Sequence, residues 1–249
     1  MTLATYPSLN HRTVFVTGGA SGIGASFVRA FQAQGADVAF VDLQDAAGQA
    51  LADELSGTWF RRCDVTDAHA LQTAIRDAAA ALGPITILIN NVADDTRQAA
   101  AQMTPEHWRN SLAVNLDPAF VAAVAVHPMM QAAGGGAIIN VSSINALLGP
   151  AQLAAYSAAK GALNALSKSL AHEWGCDGIR VNALSPGWVV TQRQLDLWLT
   201  PEAEAEWMRQ VALPTRIHPD DVARLALFLA ADDSAMITGQ NLVIDGGRT

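Results

Sequence analysis

The sequence predicts one doubly wound α/β domain: a parallel sheet of about seven strands with helices on both faces. Three observations predict it. Short apolar, β-branched runs alternate with longer Ala-rich stretches along all 249 residues. The first such run, Thr13–Thr17, passes directly into Gly18-Gly19-Ala20-Ser21-Gly22-Ile23-Gly24 and then into a helical stretch. Hydrophobic residues make up 51% of the chain and charged residues only 15%, which excludes disorder and fits extensive burial.

The elements follow in order. Thr13–Thr17 reads as a buried strand, and Ala25–Gln34 as a helix stopped by Gly35. Ala36–Asp42 is a second strand, completing a βαβ unit of Rossmann type. Asp45–Leu55 is an amphipathic helix, and Trp59–Cys63 a short strand ended by Asp64. Thr66 or Asp67 caps a helix over Ala68–Leu82, which Gly83-Pro84 ends. Ile85–Ile89 is a strand, with Asn90-Asn91-Val92-Ala93 at its end and the polar loop Asp94–Gln98 beyond. Thr104 and Pro105 open a helix to about Ala133, and Pro118 and Pro128 within it predict a kink or a split. Three glycines then lead to the strand Ala137–Val141, followed by Ser142 and Ser143. A helix around Tyr156 runs to about Trp174, and Ile179–Ser185 is the next strand, turned by Pro186-Gly187. Gln192–Gln210 is rich in helix formers and is expected to form a lid-like insertion at about 190–215. Pro219–Ala230 is a helix, and Asn241–Ile244 the last strand.

Composition excludes several functions. The net charge is −8, and no basic patch stands out, so nucleic acid is not expected as a partner. Cys63 and Cys176 form no disulfide framework and lack metal-ligand spacing; both read as buried or semi-buried thiols, with no metal. Met1 to Pro7 has neither a basic nor an apolar targeting region, and no run of about 18 uninterrupted apolar residues is present. A cytoplasmic protein without a membrane-spanning helix is the expectation.

The candidate chemistry centres on Tyr156 and Lys160. At spacing i,i+4 they share one face of a helix. A cation beside a phenol favours the phenolate, so the pair is expected to act as a proton acceptor near neutral pH. Gly18, Gly22 and Gly24 give the spacing GxxxGxG after a strand, which lets backbone approach a pyrophosphate at a helix N-terminus. Asp42 ends the second strand, where a carboxylate accepts from both ribose hydroxyls and repels a 2′-phosphate. NAD is therefore expected over NADP.

Taken together, Thr17 to Gly24, Asp64, Asn90-Asn91, Asn115, Ser143, Tyr156/Lys160, Asn182 and Pro186-Gly187 to Thr191 resemble the short-chain dehydrogenase/reductase family in order and spacing. The resemblance covers the whole chain. It implies that Tyr156 is the catalytic acid/base, that Lys160 lowers its pKa and holds the nicotinamide ribose, and that Ser143 positions the substrate oxygen. It implies that Asn115 holds a relay water. For the cofactor it implies the glycine turn with Gly18, Ser21, Gly22 and Ile23 at the pyrophosphate, and Asp64 with Val65 at the adenine. It implies Asn90 and Asn91 along the nucleotide, and Pro186, Val189 and Thr191 around the carboxamide. The turn usually written NNAG reads Asn90-Asn91-Val92-Ala93 here. The family also implies a homotetramer or homodimer, and the long Ala-rich helices carrying Asn115 and Tyr156 are expected to pair across a two-fold axis.

More finely, the start ATYPSL, the loop DDTR, the stretch VVTQRQLDLWLTPEAEAE and the ending VIDGG resemble bacterial members that oxidise sugars, the aldose 1-dehydrogenases and their sugar-acid relatives. Ile144–Leu148 lacks the aromatic residue expected in pentose-oxidising members, which leaves the sugar unassigned. The expected function is NAD-dependent oxidation of an alcohol or hemiacetal carbon of a small polyhydroxylated substrate. Arg97, Asn145, Gln152, Trp188, Arg193, Gln194 and Trp198 are its candidate contacts, because a sugar takes hydrogen bonds and an apolar ring face. The competing readings are a ketoreductase of acyl or aromatic carbonyls using NADPH, which Asp42 opposes, and a non-catalytic dinucleotide sensor.

Overall fold

A computed structural model describes residues 4–249, so the part of the targeting-segment reading that rests on Met1-Thr2-Leu3 lies outside the described residues. Seven strands, β1 (Thr13–Thr17), β2 (Asp37–Asp42), β3 (Trp59–Arg62), β4 (Ile85–Asn90), β5 (Gly136–Val141), β6 (Ile179–Pro186) and β7 (Asn241–Ile244), form one parallel sheet. Their order is β3-β2-β1-β4-β5-β6-β7. Every residue of β1 and β4 is buried, which is why these strands read as unbroken apolar runs instead of alternating ones. The chain runs outward from β1 and returns to β4, so a crevice opens at their carboxyl ends.

The helices are α1 (Gly22–Ala33), α2 (Asp45–Glu54), α3 (Ala68–Leu82), α4 (Pro105–Asn115), α5 (Asp117–Ala132), α6 (Asn145–Leu148), α7 (Ala154–Trp174), α8 (Gln192–Leu197), α9 (Pro201–Met208) and α10 (Pro219–Ala230). Alternate residues of β1 serve opposite faces, as the strand period requires. Val14 and Val16 pack with Phe27 and Phe31 of α1 and Val222 and Ala226 of α10. Phe15 packs with Leu71 and Ile75 of α3, Ala122 and Val126 of α5 and Leu170 of α7.

Local chemistry decides several boundaries. Asp67, not Thr66, caps α3, accepting from the Ala70 N–H at 2.9 Å. Thr104 caps α4 through the His107 N–H at 3.1 Å, with Pro105 at the first turn. The expected split falls at Leu116 (φ −131°, ψ −58°), just before Asp117-Pro118, since Pro118 has no N–H to continue the ladder. There the Ala119 N–H donates to the Leu116 carbonyl at 3.1 Å, outside the regular helical pattern. Pro128 stays inside α5 without ending it.

One expectation, the burial of Cys176, needs correction, and two others gain detail. Pro105–Ala132 is, by length and composition, long and apolar enough to cross a membrane, although no uninterrupted apolar run occurs in it. It is two helices, and Ala119, Ala122, Ala123, Val126 and Met130 are buried within the fold. Cys176 is exposed, whereas Cys63 is buried as expected. The stretch Gln192–Gln210 is two short helices parted near Trp198, because Thr191 and Thr200 each start one as an N-cap.

Candidate active site

The glycine turn is shaped for close approach. Gly18 takes φ +68°, a left-handed conformation that suits glycine, and a Cβ on Gly24 would stand 1.8 Å from the Gly18 carbonyl oxygen. The turn hangs on β2, with the Gly18 N–H donating to the Val41 carbonyl at 2.8 Å. It also hangs on β4, where Asn91 Nδ2 donates to the Gly18 carbonyl at 2.9 Å. Ser21 is the N-cap residue of α1, yet its hydroxyl caps nothing and instead accepts from Gln44 Nε2 at 2.9 Å. The first-turn N–H groups of α1 therefore remain open beside a cavity of about 880 Å³, which Gly18, Ser21, Gly22 and Ile23 line. This is a positive helix end without a side-chain acceptor, and it fits a pyrophosphate.

The same cavity continues along Asp42, Asp64, Val65 and Asn91 on one side. Asp42 is buried, not solvated, and both its oxygens are engaged: Oδ2 accepts from the Ala20 N–H at 3.0 Å and Oδ1 from the Gln44 N–H at 3.0 Å. Asp64 Oδ1 accepts from the Thr66 N–H and hydroxyl, which holds its carboxyl below the usual range. Pro186, Val189 and Thr191 line it too, and Thr191 Cγ2 would stand 3.4 Å from a Cβ on Gly22.

Ser143, Tyr156 and Lys160 line the same cavity. Ser143 Oγ accepts from the Asn145 N–H at 3.1 Å, which leaves the hydroxyl proton free to donate. Lys160 is 1% exposed, and its Nζ donates to the Val141 carbonyl at 2.7 Å. The Ser142 hydroxyl donates to the Lys160 carbonyl at 2.8 Å, fixing α7 to the end of β5. Burial pushes Lys160 down to about 7 and the Tyr156 phenol up to about 12. The charges of Asp95 and Asp94 push the phenol the same way, and the neighbouring Ser143 hydroxyl opposes them. The lowered phenol expected from the sequence is thus corrected: burial shifts it upward. The helical spacing is right, but the lysine is desolvated and keeps its charge only in part at neutral pH.

Asn115 is buried at 3% exposure, and its side chain is fully used. Oδ1 accepts from the Asp94 N–H at 2.9 Å, and Nδ2 donates to the Asp94 and Ser111 carbonyls at 3.0 and 2.9 Å. It braces the loop after β4 and makes no direct contact with Lys160. Asn90 does not line the cavity at all. Its Nδ2 donates to Asn140 Oδ1 at 2.8 Å and to the Ala119 carbonyl at 3.3 Å, because at the last position of β4 its side chain turns into the core.

Of the candidate substrate contacts, Arg97, Asn145, Trp188, Arg193 and Gln194 line the cavity. Gln152 does not: it is exposed at φ +66°, and its carbonyl, not its side chain, accepts from the Gln98 N–H at 2.8 Å. Trp198 is also off the wall and stacks under Arg97, 4.2 Å from guanidinium carbon to ring centroid. Asp94 and Asp95 were not singled out from sequence, although they follow the β4 turn directly at the carboxyl edge. Both pair with Arg193, through Nη2 at 3.0 Å and Nε at 3.2 Å.

The chain is similar to several known proteins along nearly its whole length. A family model described as enoyl-(acyl carrier protein) reductase matches residues 18–249. A protein of Rhizobium meliloti (strain 1021) described as a probable galactose dehydrogenase is 45% identical over 247 residues, 97% of this chain and 96% of that one. A D-xylose 1-dehydrogenase of Caulobacter vibrioides (strain NA1000 / CB15N) is 40% identical over 99% of both chains. The crystal structure of a protein from Sinorhizobium meliloti 1021, put forward as a short-chain alcohol dehydrogenase, superposes with a TM-score of 0.91 at 29% identity, covering 97% of this chain and 98% of that one.

Proposed function

The chain belongs to the short-chain dehydrogenase/reductase family of nicotinamide-dependent oxidoreductases acting on CH–OH groups, and we propose that it oxidises a secondary-alcohol or hemiacetal carbon of a sugar or sugar acid with NAD. The carrying observation is that Tyr156, Ser143 and Lys160 face the same cavity as the open N-terminus of α1 and Asp42. The names of the relatives, a galactose and a xylose dehydrogenase, support the substrate class.

When bound, the oxidised nicotinamide supplies a hydride acceptor and a positive charge. The chain's own residues do the rest in this proposal. Gly18, Ser21, Gly22 and Ile23 hold the pyrophosphate, and Asp42 takes the adenosine ribose with the lone pairs its two backbone contacts leave free. Asp64 and Val65 flank the adenine, Asn91 supports the turn, and Pro186, Val189 and Thr191 flank the carboxamide. Ser143 donates its free proton to the substrate oxygen. Tyr156 takes the substrate's hydroxyl proton in oxidation and returns it in reduction. With its phenol raised to about 12, Tyr156 stands ready as an acid, and its role as a base draws on positive charge gathered at Lys160 and the cofactor. Asn115, the last residue of α4, holds a relay water toward Lys160 in this proposal.

Residues 190–215, with α8 and α9, act as a lid over the substrate half, fastened by the Arg193 pairs to Asp94 and Asp95. The protein is a homodimer or homotetramer, paired through the α4, α5 and α7 face. Supporting this, Phe120 and Val124 are exposed there, beside an apolar groove lined by Ala113, Leu116, Val121 and Leu166. Light scattering that returned a monomer would refute it. The functional test is steady-state turnover of a sugar and polyol panel with NAD and NADP. Turnover of apolar ketones alone, or tighter binding of NADPH than NADH, would overturn the reading.

A further inference from the structure

Asp95 stands on the substrate half of the cavity wall with both carboxylate oxygens fixed. Oδ1 accepts from Arg193 Nε at 3.2 Å, and Oδ2 accepts from Gln194 Nε2 at 2.8 Å. The Gln194 amide has one workable orientation. Its Oε1 accepts from Trp188 Nε1 at 2.7 Å, and an indole N–H only donates while a carboxylate only accepts. Trp188 is braced in turn by Trp207, edge to face with centroids 5.8 Å apart. Each carboxylate oxygen offers two lone pairs, so one on each is left for a donor from the cavity.

Asp94 differs. Its Oδ1 already accepts from the Thr96 N–H, the Thr96 hydroxyl and Arg193 Nη2, and its side chain is 50% exposed against 24% for Asp95. Asp94 forms the turn, and Asp95 is the half-buried group presented by it. Arg193 is shared between the two carboxylates, and Arg97 lies exposed over the Trp198 ring.

We infer, resting on the sugar-oxidising reading above, that Asp95 determines specificity: it accepts hydrogen bonds from the hydroxyls of an uncharged sugar or polyol and turns away sugar acids. An acceptor-only group rewards hydroxyl donors and leaves an incoming carboxylate with like charge and no donor. The same two carboxylates lie near enough to Tyr156 for their charge to act on its phenol, so an anion at the reacting carbon meets the same field. Gln194 and Trp188 are positioning residues that hold Asp95 in register.

Matched pairs test this with the purified protein, both nicotinamide cofactors and constant ionic strength: D-galactose against D-galacturonate, and D-glucose against D-glucuronate, each acid keeping the anomeric hydroxyl of its neutral partner. The neutral member is expected to lead in kcat/KM by about 100-fold, the scale of a charged hydrogen bond lost and a like charge met. Asp95→Asn is expected to raise KM for the neutral sugar about tenfold with kcat little changed, and to shrink the neutral-to-acid ratio about tenfold. Gln194→Met keeps the charge and frees Oδ2, so KM rises while the ratio holds. Retained NADH fluorescence on binding reports that each variant is folded. Equal turnover of acid and sugar, or a ratio unmoved by Asp95→Asn, would overturn this inference alone. Acid turnover exceeding sugar turnover and lost in Arg97→Ala would assign anion recognition to Arg97 and overturn it too. Turnover of neither class with either cofactor would overturn the sugar reading together with it.

Discussion

Lys160 Nζ lies 5.7 Å from the centre of the Tyr156 ring and donates to the Val141 carbonyl at 2.7 Å. The two side chains share one face of α7, as their spacing requires. The consequence for proton affinity comes from burial, and it runs opposite to a solvent-exposed pair.

For Tyr156 the phenol is pushed up to about 12, chiefly by burial. In the ligand-free protein the phenolate absorbance, taken as wild type minus Tyr156→Phe, is expected to appear only above about pH 11. A signal already present near neutrality would contradict it. Tyr156→Phe is expected to lower kcat by about 10²–10⁴-fold with NADH binding retained.

Lys160 carries a stability prediction. The unfolded chain keeps this proton up to about pH 10.4, whereas the native protein loses it near 7. Unfolding therefore takes up a proton between those values, and stability contributed by this site rises with pH across that window. Lys160→Met is expected to exceed wild type in urea midpoint at about pH 6, with the gap closing by about pH 10. A gap independent of pH would refute the buried-charge account.

Asp42 is expected to govern cofactor choice. It joins the glycine turn to the start of α2 through the Ala20 and Gln44 N–H groups and faces the cavity. Asp42→Ala is expected to raise KM for NAD about tenfold and to shift the NADP-to-NAD ratio of kcat/KM upward by at least as much. Fluorescence titration with both reduced cofactors checks this, and an unmoved ratio would count against it.

Asn90 is expected to behave as a structural residue. It belongs to a buried chain with Asn140, whose Nδ2 donates to Ser167 Oγ at 2.9 Å. Asn90→Ala is expected to cost about 1–3 kcal/mol in urea unfolding, since it strands the Asn140 acceptor, with KM for NAD unchanged. A raised KM at unchanged stability would return Asn90 to the cofactor contacts.

The fold was legible because its signals are local. Short unbroken apolar runs, the run into Gly18 to Gly24, and the Thr104-Pro105 start each depend on residues within a few positions, and the strand limits read from them lie close to those observed. The division of the Asn115 helix was also visible in Pro118. What stayed hidden depends on distant partners. Nothing local distinguishes Asn90, turned into the core toward Asn140, from Asn91, which holds Gly18. Nor does the run Asp94-Asp95 announce that Arg193 and Gln194, about a hundred positions on, fix it against the cavity.

The sequence alone determined the α/β sheet, the place of the glycine turn, the Tyr156–Lys160 register and the carboxylate at the end of β2, because apolar strand runs, helix spacing and glycine backbone freedom are properties of neighbouring residues. Tertiary structure alone decided the protonation bias of Tyr156 and Lys160, the brace that Asn115 forms, and the selection of Asp95 over Gln152 as a cavity residue. Desolvation, charge and hydrogen-bond satisfaction depend on what lies across space, and folding brings those groups together from positions up to about a hundred residues apart.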